Sequence, residues 1–178
     1  MRLNRACAPA ARAANNEHQR KSVMKTFQAL IAESLQRVEE LFPWDLAEKL
    51  AADSDILLVD IREPYEFDAM HIHGSLNVPR GILEMACEYG YEETVPELAD
   101  ARAREIVLVC RSGNCSIFAA DVMQQMGYSN VSSLKTGMRG WSDYEQEMVD
   151  AAGNVVDEDT AIDYFTPNFR PEQLRKKA

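Results

Sequence analysis

The residue in this chain with the clearest capacity for chemistry is a cysteine that follows a short apolar run. Residues 106–109 form the run, Cys110 ends it, and a polar loop containing Gly113 leads into an apolar pattern at helical spacing. In such a strand–loop–helix unit, backbone N–H groups and the positive end of the helix point at the cysteine sulfur. The pattern therefore favours nucleophilic chemistry, because the thiolate is the reactive form of cysteine.

The loop after the cysteine contains groups that would stabilise a thiolate. Gly113 can adopt a positive φ, which lets the neighbouring N–H groups turn inward. The helix that follows the loop has no acidic residue before Asp121, so its N-terminus stays available to an anion. A buried cysteine that merely ends a strand is the alternative, and the polarity of the loop argues against it. The residues predicted to hold the sulfur are Arg111, Ser112, Gly113, Asn114, Cys115 and Ser116.

Length, charge and cysteine spacing exclude several classes of function. The 178 residues suffice for one domain with a hydrophobic core. The net charge of −10 argues against nucleic acid or an anionic membrane as a partner, and no apolar run is long enough to span a bilayer. The four cysteines have neither zinc-site spacing nor the pattern of a secreted disulfide framework. We therefore predict reduced thiols in a cytoplasmic protein without a metal site.

The elements that position the cysteine follow from the hydrophobic pattern. Apolar runs predict strands at 56–59, 75–78, 106–109 and 130–134, with helical patterns at 44–50, 64–70, 117–126 and 137–148. This alternation indicates an α/β domain with a mostly parallel central sheet and helices on both faces. Ligands bind outside the carboxyl ends of such strands, so Asp60 and Cys110 are predicted to lie at the functional edge of the sheet.

Three further segments flank this domain, which spans residues 44–148. Residues 1–23 are rich in Arg and Ala and are interpreted as a disordered leader, with an organelle transit peptide as the alternative. Residues 24–43 predict an amphipathic N-terminal helix that packs on its own domain or docks a partner. Residues 149–178 form an aromatic and basic C-terminal extension, which either covers the domain or supports a homodimer.

Four motifs, in this order along the chain, resemble those of one known family. Residues 60–66 resemble the D-x-R-x-x-x-E signature, and residues 71–79 resemble the H-I-x-G-A-x-N-I-P stretch of rhodanese domains. The loop from Cys110 to Cys115 resembles the six-residue active loop of rhodanese sulfurtransferases, and residues 137–141 resemble the G-x-x-x-W ending. The chain from 44 to 148 is therefore similar to a single rhodanese-like domain.

The resemblance implies a sulfurtransferase. Cys110 would take a sulfane sulfur from thiosulfate or another small sulfur-containing anion, become a persulfide, and pass the sulfur to a thiol, cyanide or protein acceptor. That cycle needs no metal and no organic cofactor. Asp60 and Arg62 are expected to brace the loop, and Arg80 is a candidate contact for an anion.

The loop departs from the family pattern at its last position. Cys115 stands where arginine is common, so a second positive charge over the site is missing and thiosulfate is less well supported as the donor. Arg111, at the other end of the loop, is the candidate to replace that charge. Cys115 could attack a persulfide on Cys110 and leave a disulfide, or it could be a small residue without a role.

Two other functions stay open at this point. A non-turnover persulfide carrier or docking module would accept sulfur and hand it to a partner protein. A phosphatase or arsenate reductase with a similar fold would need a longer C-x5-R loop, whose arginine clamps an oxyanion. Ser116 occupies that arginine position here, which counts against the second alternative.

Overall fold

The computed structural model describes residues 24–52 and 55–174, which fold around a five-stranded sheet. The strands are β1 (Glu39–Leu41), β2 (Ile56–Asp60), β3 (Leu76–Asn77), β4 (Glu105–Val109) and β5 (Val131–Leu134). They lie in the order β1-β5-β4-β2-β3, and every neighbouring pair is parallel. Parallel strands need crossover connections, and helices supply them.

The helices cover both faces of this sheet. They are α1 (Phe27–Ser34), α2 (Pro43–Ala51), α3 (Pro64–Ala69), α4 (Leu83–Ala86), α5 (Pro96–Ala99), α6 (Asn114–Gln125), α7 (Gly137–Asp143) and α8 (Glu158–Phe165). Side chains alternate along a strand, so Ile106 and Leu108 face the layer of α1, α4, α5 and α6. Val107 and Val109 face the layer of α2, α7 and α8. The predicted α/β fold, a parallel sheet with helices on both faces, is confirmed.

Strand β4 lies at the centre of the sheet and carries Cys110 at its carboxyl end. It pairs with β2 on one side and β5 on the other. Residues 106–109 are at most 1% exposed, which explains their continuous apolar sequence. Asp60, the last residue of β2, lies opposite Val109. Asp60 and Cys110 therefore lie at the same edge of the sheet, as predicted.

The prediction of one helix over residues 24–43 is wrong beyond Ser34, where α1 ends. The chain turns after α1, and β1 adds to the edge of the sheet beside β5. The carboxylate of Asp121 in α6 accepts hydrogen bonds from Ser34 at 3.0 Å and from Arg37 at 2.8 and 2.6 Å. These bonds hold α1 and the following turn on their own domain. Pro43 begins α2 instead of ending the preceding helix, because proline suits a first helical turn.

Other predicted boundaries also shift. Helix α6 begins three residues earlier than predicted, at Asn114, and α7 ends at Asp143 instead of residue 148. In the C-terminal extension, α8 buries Ala161 and Phe165 against the domain, so this part of the extension covers its own domain. The homodimer stays a prediction.

The fold does not test two predictions, the disordered leader and the cytoplasmic location. Residues 1–23, interpreted as a leader or transit peptide, lie outside the described residues. Within the residues that the structure describes, no helix has the length and apolar character required to cross a membrane. The cytoplasmic location stays a prediction.

A buried ion pair connects β2 to α3. The guanidinium of Arg62 lies 2.6 Å from the carboxylate of Asp60, and both side chains are almost inaccessible to solvent. The same guanidinium donates to the carbonyls of Glu66 at 3.3 Å and Met70 at 2.7 Å. The side-chain amide of Asn77 in β3 donates to the carbonyls of Asp60 and Arg62, each at 3.0 Å. This network holds the chain around the end of β2 in one conformation.

Replacing Arg62 tests how strongly the fold depends on this pair. We expect Arg62→Ala to lower the free energy of unfolding by about 3–5 kcal/mol, because Asp60 would be left buried without its counterion. The control is Arg170→Ala, which removes an exposed pair with Glu172 and should change little. Urea denaturation of both variants measures the difference. Equal small effects would contradict a structural role for the buried pair.

Candidate active site

Cys110 is almost completely buried, at 4% exposure, where β4 passes into the loop that precedes α6. Its sulfur lies 3.3 Å from the hydroxyl of Ser116. Ser133 in β5 donates its own hydroxyl proton to Ser116 Oγ at 2.8 Å. The Ser116 proton then has two acceptors within reach, the carbonyl of Gly113 at 3.2 Å and the Cys110 sulfur. Ser133 is not among the residues predicted from the sequence to form the site. A serine within a strand predicted to be buried was the feature that could have indicated it.

Two backbone carbonyl groups at the start of the loop, those of Cys110 and Arg111, are bound by a neighbouring helix. In the first turn of α7, Met138 N–H donates to the carbonyl of Cys110 at 2.8 Å and Arg139 N–H to that of Arg111 at 3.1 Å. Gly113 adopts a φ of +80° at the start of α6. The N–H groups that remain can therefore face inward.

These donors lower the pKa of the Cys110 thiol from 9.0 to about 5. The Cys115 thiol contributes most by donating a hydrogen bond to the sulfur, and the Ser116 hydroxyl and the N–H groups of Ser116 and Ser112 contribute as well. Burial acts in the opposite direction. The pKa of Cys115 is raised by the same hydrogen bond. At neutral pH the site therefore holds a Cys110 thiolate and a protonated Cys115.

The sulfur opens into a pocket of about 210 Å³. Its lining residues are Ile61, Arg62, Glu63, Glu66, Arg80, Cys110, Arg111 and Cys115. Arg80 lies 2.9 Å from Glu84, and Arg111 lies 3.6 Å from Glu66. Each of these two pocket arginines is thus paired with a carboxylate. An anionic substrate would have to compete with those carboxylates for positive charge.

Arg111 does not simply replace the missing positive charge at the end of the loop. Its guanidinium donates to the carbonyl of Tyr164 and lies over the rings of Tyr164 at 5.1 Å and Phe165 at 5.2 Å. Both aromatic residues belong to α8, so the C-terminal extension holds an arginine of the loop. The sequence offered no sign of this contact, because it joins segments more than fifty residues apart.

The remaining predicted residues have supporting positions. The pair of Asp60 and Arg62 braces the β2–α3 connection and does not hydrogen-bond to the Cys110 loop directly; Ile61 N–H reaches the carbonyl of Val109 at 2.8 Å. The side chain of Asn114 donates to the hydroxyl of Ser112 at 3.3 Å, outside the pocket.

The known proteins to which the chain is similar share one type of domain with it. Residues 43–144 match the family model of the rhodanese-like domain. A sulfurtransferase of Allochromatium vinosum is 31% identical over 105 residues, which are 59% of this chain and 89% of that protein. The thiosulfate:glutathione sulfurtransferase of Saccharomyces cerevisiae is 31% identical over 101 residues, 55% of this chain and 73% of that protein.

Solved structures agree with this similarity. A Rhodopseudomonas palustris protein of unknown function is 28% identical, with a TM-score of 0.61, and the match covers 76% of this chain and 97% of that one. The human single-domain sulfurtransferase TSTD1 matches with a TM-score of 0.53 at 23% identity, over 60% of this chain and 96% of that one. The second likeness concerns the fold alone.

The lowered pKa of Cys110 predicts how its reactivity depends on pH. A thiol with a pKa of about 5 is ionised above that pH, so the rate of alkylation by iodoacetamide should rise through pH 5 and level off before neutrality. Ser116→Ala removes one donor and should move the midpoint to higher pH. Ser129→Ala, which lies far from the sulfur and bonds the carbonyl of Arg102, should leave it unchanged. A wild-type midpoint near that of a free thiol would contradict the stabilised thiolate.

The close approach of α7 to the loop predicts that Gly137 tolerates no side chain. A Cβ at Gly137 would lie 2.2 Å from the carbonyl oxygen of Cys110. Gly153 also has a positive φ, but a Cβ there would meet no atom within 4 Å. We expect Gly153→Ala to cost about 1–2 kcal/mol of unfolding free energy, and Gly137→Ala to cost distinctly more. Equal losses in urea denaturation would show that the loop can move away from α7.

Proposed function

Because the chain belongs to the rhodanese-like domain family, we propose that it is a sulfurtransferase whose Cys110 carries the sulfur as a persulfide. The observation that carries the proposal is the buried Cys110 sulfur held by donors on several sides. A persulfide has the same negative charge as a thiolate, placed one atom further out. The same hydroxyl and N–H groups can therefore stabilise the resting enzyme and the intermediate.

In the first half-reaction, the Cys110 thiolate attacks the outer sulfur of a sulfane donor. With thiosulfate, the bond between the two sulfur atoms of the donor breaks, and sulfite leaves with the bonding electron pair. The new sulfur occupies the pocket of about 210 Å³ above the cysteine. In the second half-reaction, a thiolate or cyanide attacks that outer sulfur, and the Cys110 thiolate is regenerated.

The charges of the pocket bear on the choice of donor. Arg80 and Arg111 both line it, but Glu84 and Glu66 are their partners. A dianion such as thiosulfate gains less from arginines that are already paired than from free ones. We therefore propose that thiosulfate reacts but is weakly held, and that a persulfide of lower charge is the better donor. The protein from Saccharomyces cerevisiae, whose name includes glutathione, is consistent with a small thiol as acceptor.

Loss of the nucleophile tests the proposal. Incubation with thiosulfate and cyanide should give thiocyanate. In the absence of cyanide, a Cys115→Ser protein, whose pocket contains Cys110 as its one thiol, should become heavier by one sulfur atom. We expect Cys110→Ser to abolish both, because serine cannot form the persulfide. Cys87→Ala is the control, since burial raises the pKa of the Cys87 thiol and makes it inert.

The outcomes separate the alternatives. Adduct and thiocyanate together support the enzyme. A stable adduct on Cys110 without thiocyanate would indicate a persulfide carrier that needs a protein partner. Absence of both would contradict the sulfurtransferase proposal.

A further inference from the structure

A second thiol faces the candidate active-site pocket. Cys115 lies in the first turn of α6, lines the same pocket as Cys110, and is exposed, whereas Cys110 is buried. Both cysteines are free. Cys115 is also the largest cause of the lowered pKa of the Cys110 thiol, which agrees with the position of both cysteines in one pocket.

The charges around Cys115 change when Cys110 accepts a sulfur. In the resting site, the adjacent Cys110 thiolate raises the pKa of Cys115 and keeps it protonated. The positive charge of Arg80, which lines the same pocket, lowers the pKa of Cys115 and so favours its thiolate. A persulfide moves the negative charge to its outer sulfur, away from the inner sulfur. The largest cause of the raised pKa of Cys115, its interaction with a charged Cys110 sulfur, is thereby weakened at the step in which a Cys115 thiolate becomes useful.

We propose that Cys115 is a resolving thiol, which attacks the Cys110 persulfide, releases hydrosulfide and leaves a Cys110–Cys115 disulfide. The inference rests on the proposed function, because it needs the persulfide. It gives the site a second product: in the absence of an external acceptor, the enzyme releases sulfide and stops in an oxidised state.

The atoms and electrons of this step balance. The Cys115 sulfur bonds to the inner sulfur of the persulfide, and the bond between the inner and outer sulfur breaks. The outer sulfur leaves with the bonding pair and with the proton of Cys115, as hydrosulfide. It is reduced by two electrons, while the two cysteine sulfurs are oxidised to the disulfide. A dithiol reductant then restores the two thiols.

The burial of Cys110 limits attack on its inner sulfur by a thiol of another molecule. Cys110 is 4% exposed, so a bulky external thiol has limited access to the inner sulfur. Cys115, in contrast, lines the same pocket as Cys110. A bridge needs the two Cα atoms within about 7 Å, and formation of the bridge in solution tests that condition directly.

The test follows sulfur and mass in a single turnover. Reduced full-length protein, freed of reductant, is treated with thiosulfate without an acceptor. The wild-type protein should release one equivalent of sulfide, become lighter by two hydrogen atoms, and yield a peptide containing the Cys110–Cys115 disulfide. In Cys115→Ser we expect a stable gain of one sulfur atom and at least about tenfold less sulfide. Dithiothreitol should restore the reduced mass of the wild-type protein.

The control is a variant of a cysteine other than Cys110 and Cys115. Cys7→Ser removes a cysteine outside the described residues and should behave as the wild type does. If the wild-type protein keeps its sulfur adduct as Cys115→Ser does, the resolving role is overturned and the proposed function stands. If neither protein gains sulfur or releases sulfide, the proposed function fails, and the inference fails with it.

Discussion

The candidate site depends on the contact between the first turn of α7 and the loop after Cys110. Two N–H groups of α7 bind the carbonyls of Cys110 and Arg111, at 2.8 and 3.1 Å. Gly137 leaves no room for a side chain in this contact, because its Cβ would overlap the Cys110 carbonyl. Since the carbonyls are bound on the outside of the loop, its N–H groups are left to face the sulfur. The thiolate is therefore stabilised by a backbone conformation that a different helix enforces.

The site stabilises its negative charge mainly with dipoles instead of free cations. Hydroxyl, thiol and N–H donors surround the Cys110 sulfur, whereas Arg80 and Arg111 are each paired with a carboxylate. Donors fixed in place would need little reorganisation if charge moves, as proposed, from the thiolate to a persulfide. Such a site can hold either form of the sulfur without strongly attracting a dianion from solution.

The C-terminal extension is part of the same arrangement. Helix α8 buries Phe165 in the layer shared with α7, and the carbonyl of Tyr164 accepts a hydrogen bond from Arg111. The helix therefore packs on α7, which shapes the loop, and also holds a residue of the loop itself. The matched family domain ends at residue 144, so this contact is made by a segment that follows it.

The sequence by itself determined the central strands, the helix after Cys110 and the identity of the candidate nucleophile. These features depend on residues that are close together in the chain. A strand buried on both faces has a continuous apolar sequence, and a glycine-containing loop before a helix predicts N–H groups that face inward. Tertiary structure alone decided that residues 39–41 form an edge strand, that Arg111 is bound by α8, and that Ser133 donates to Ser116. Each of these contacts joins residues far apart in the chain. Spacing along a sequence predicts which residues share a face, but only the packed elements decide which faces meet.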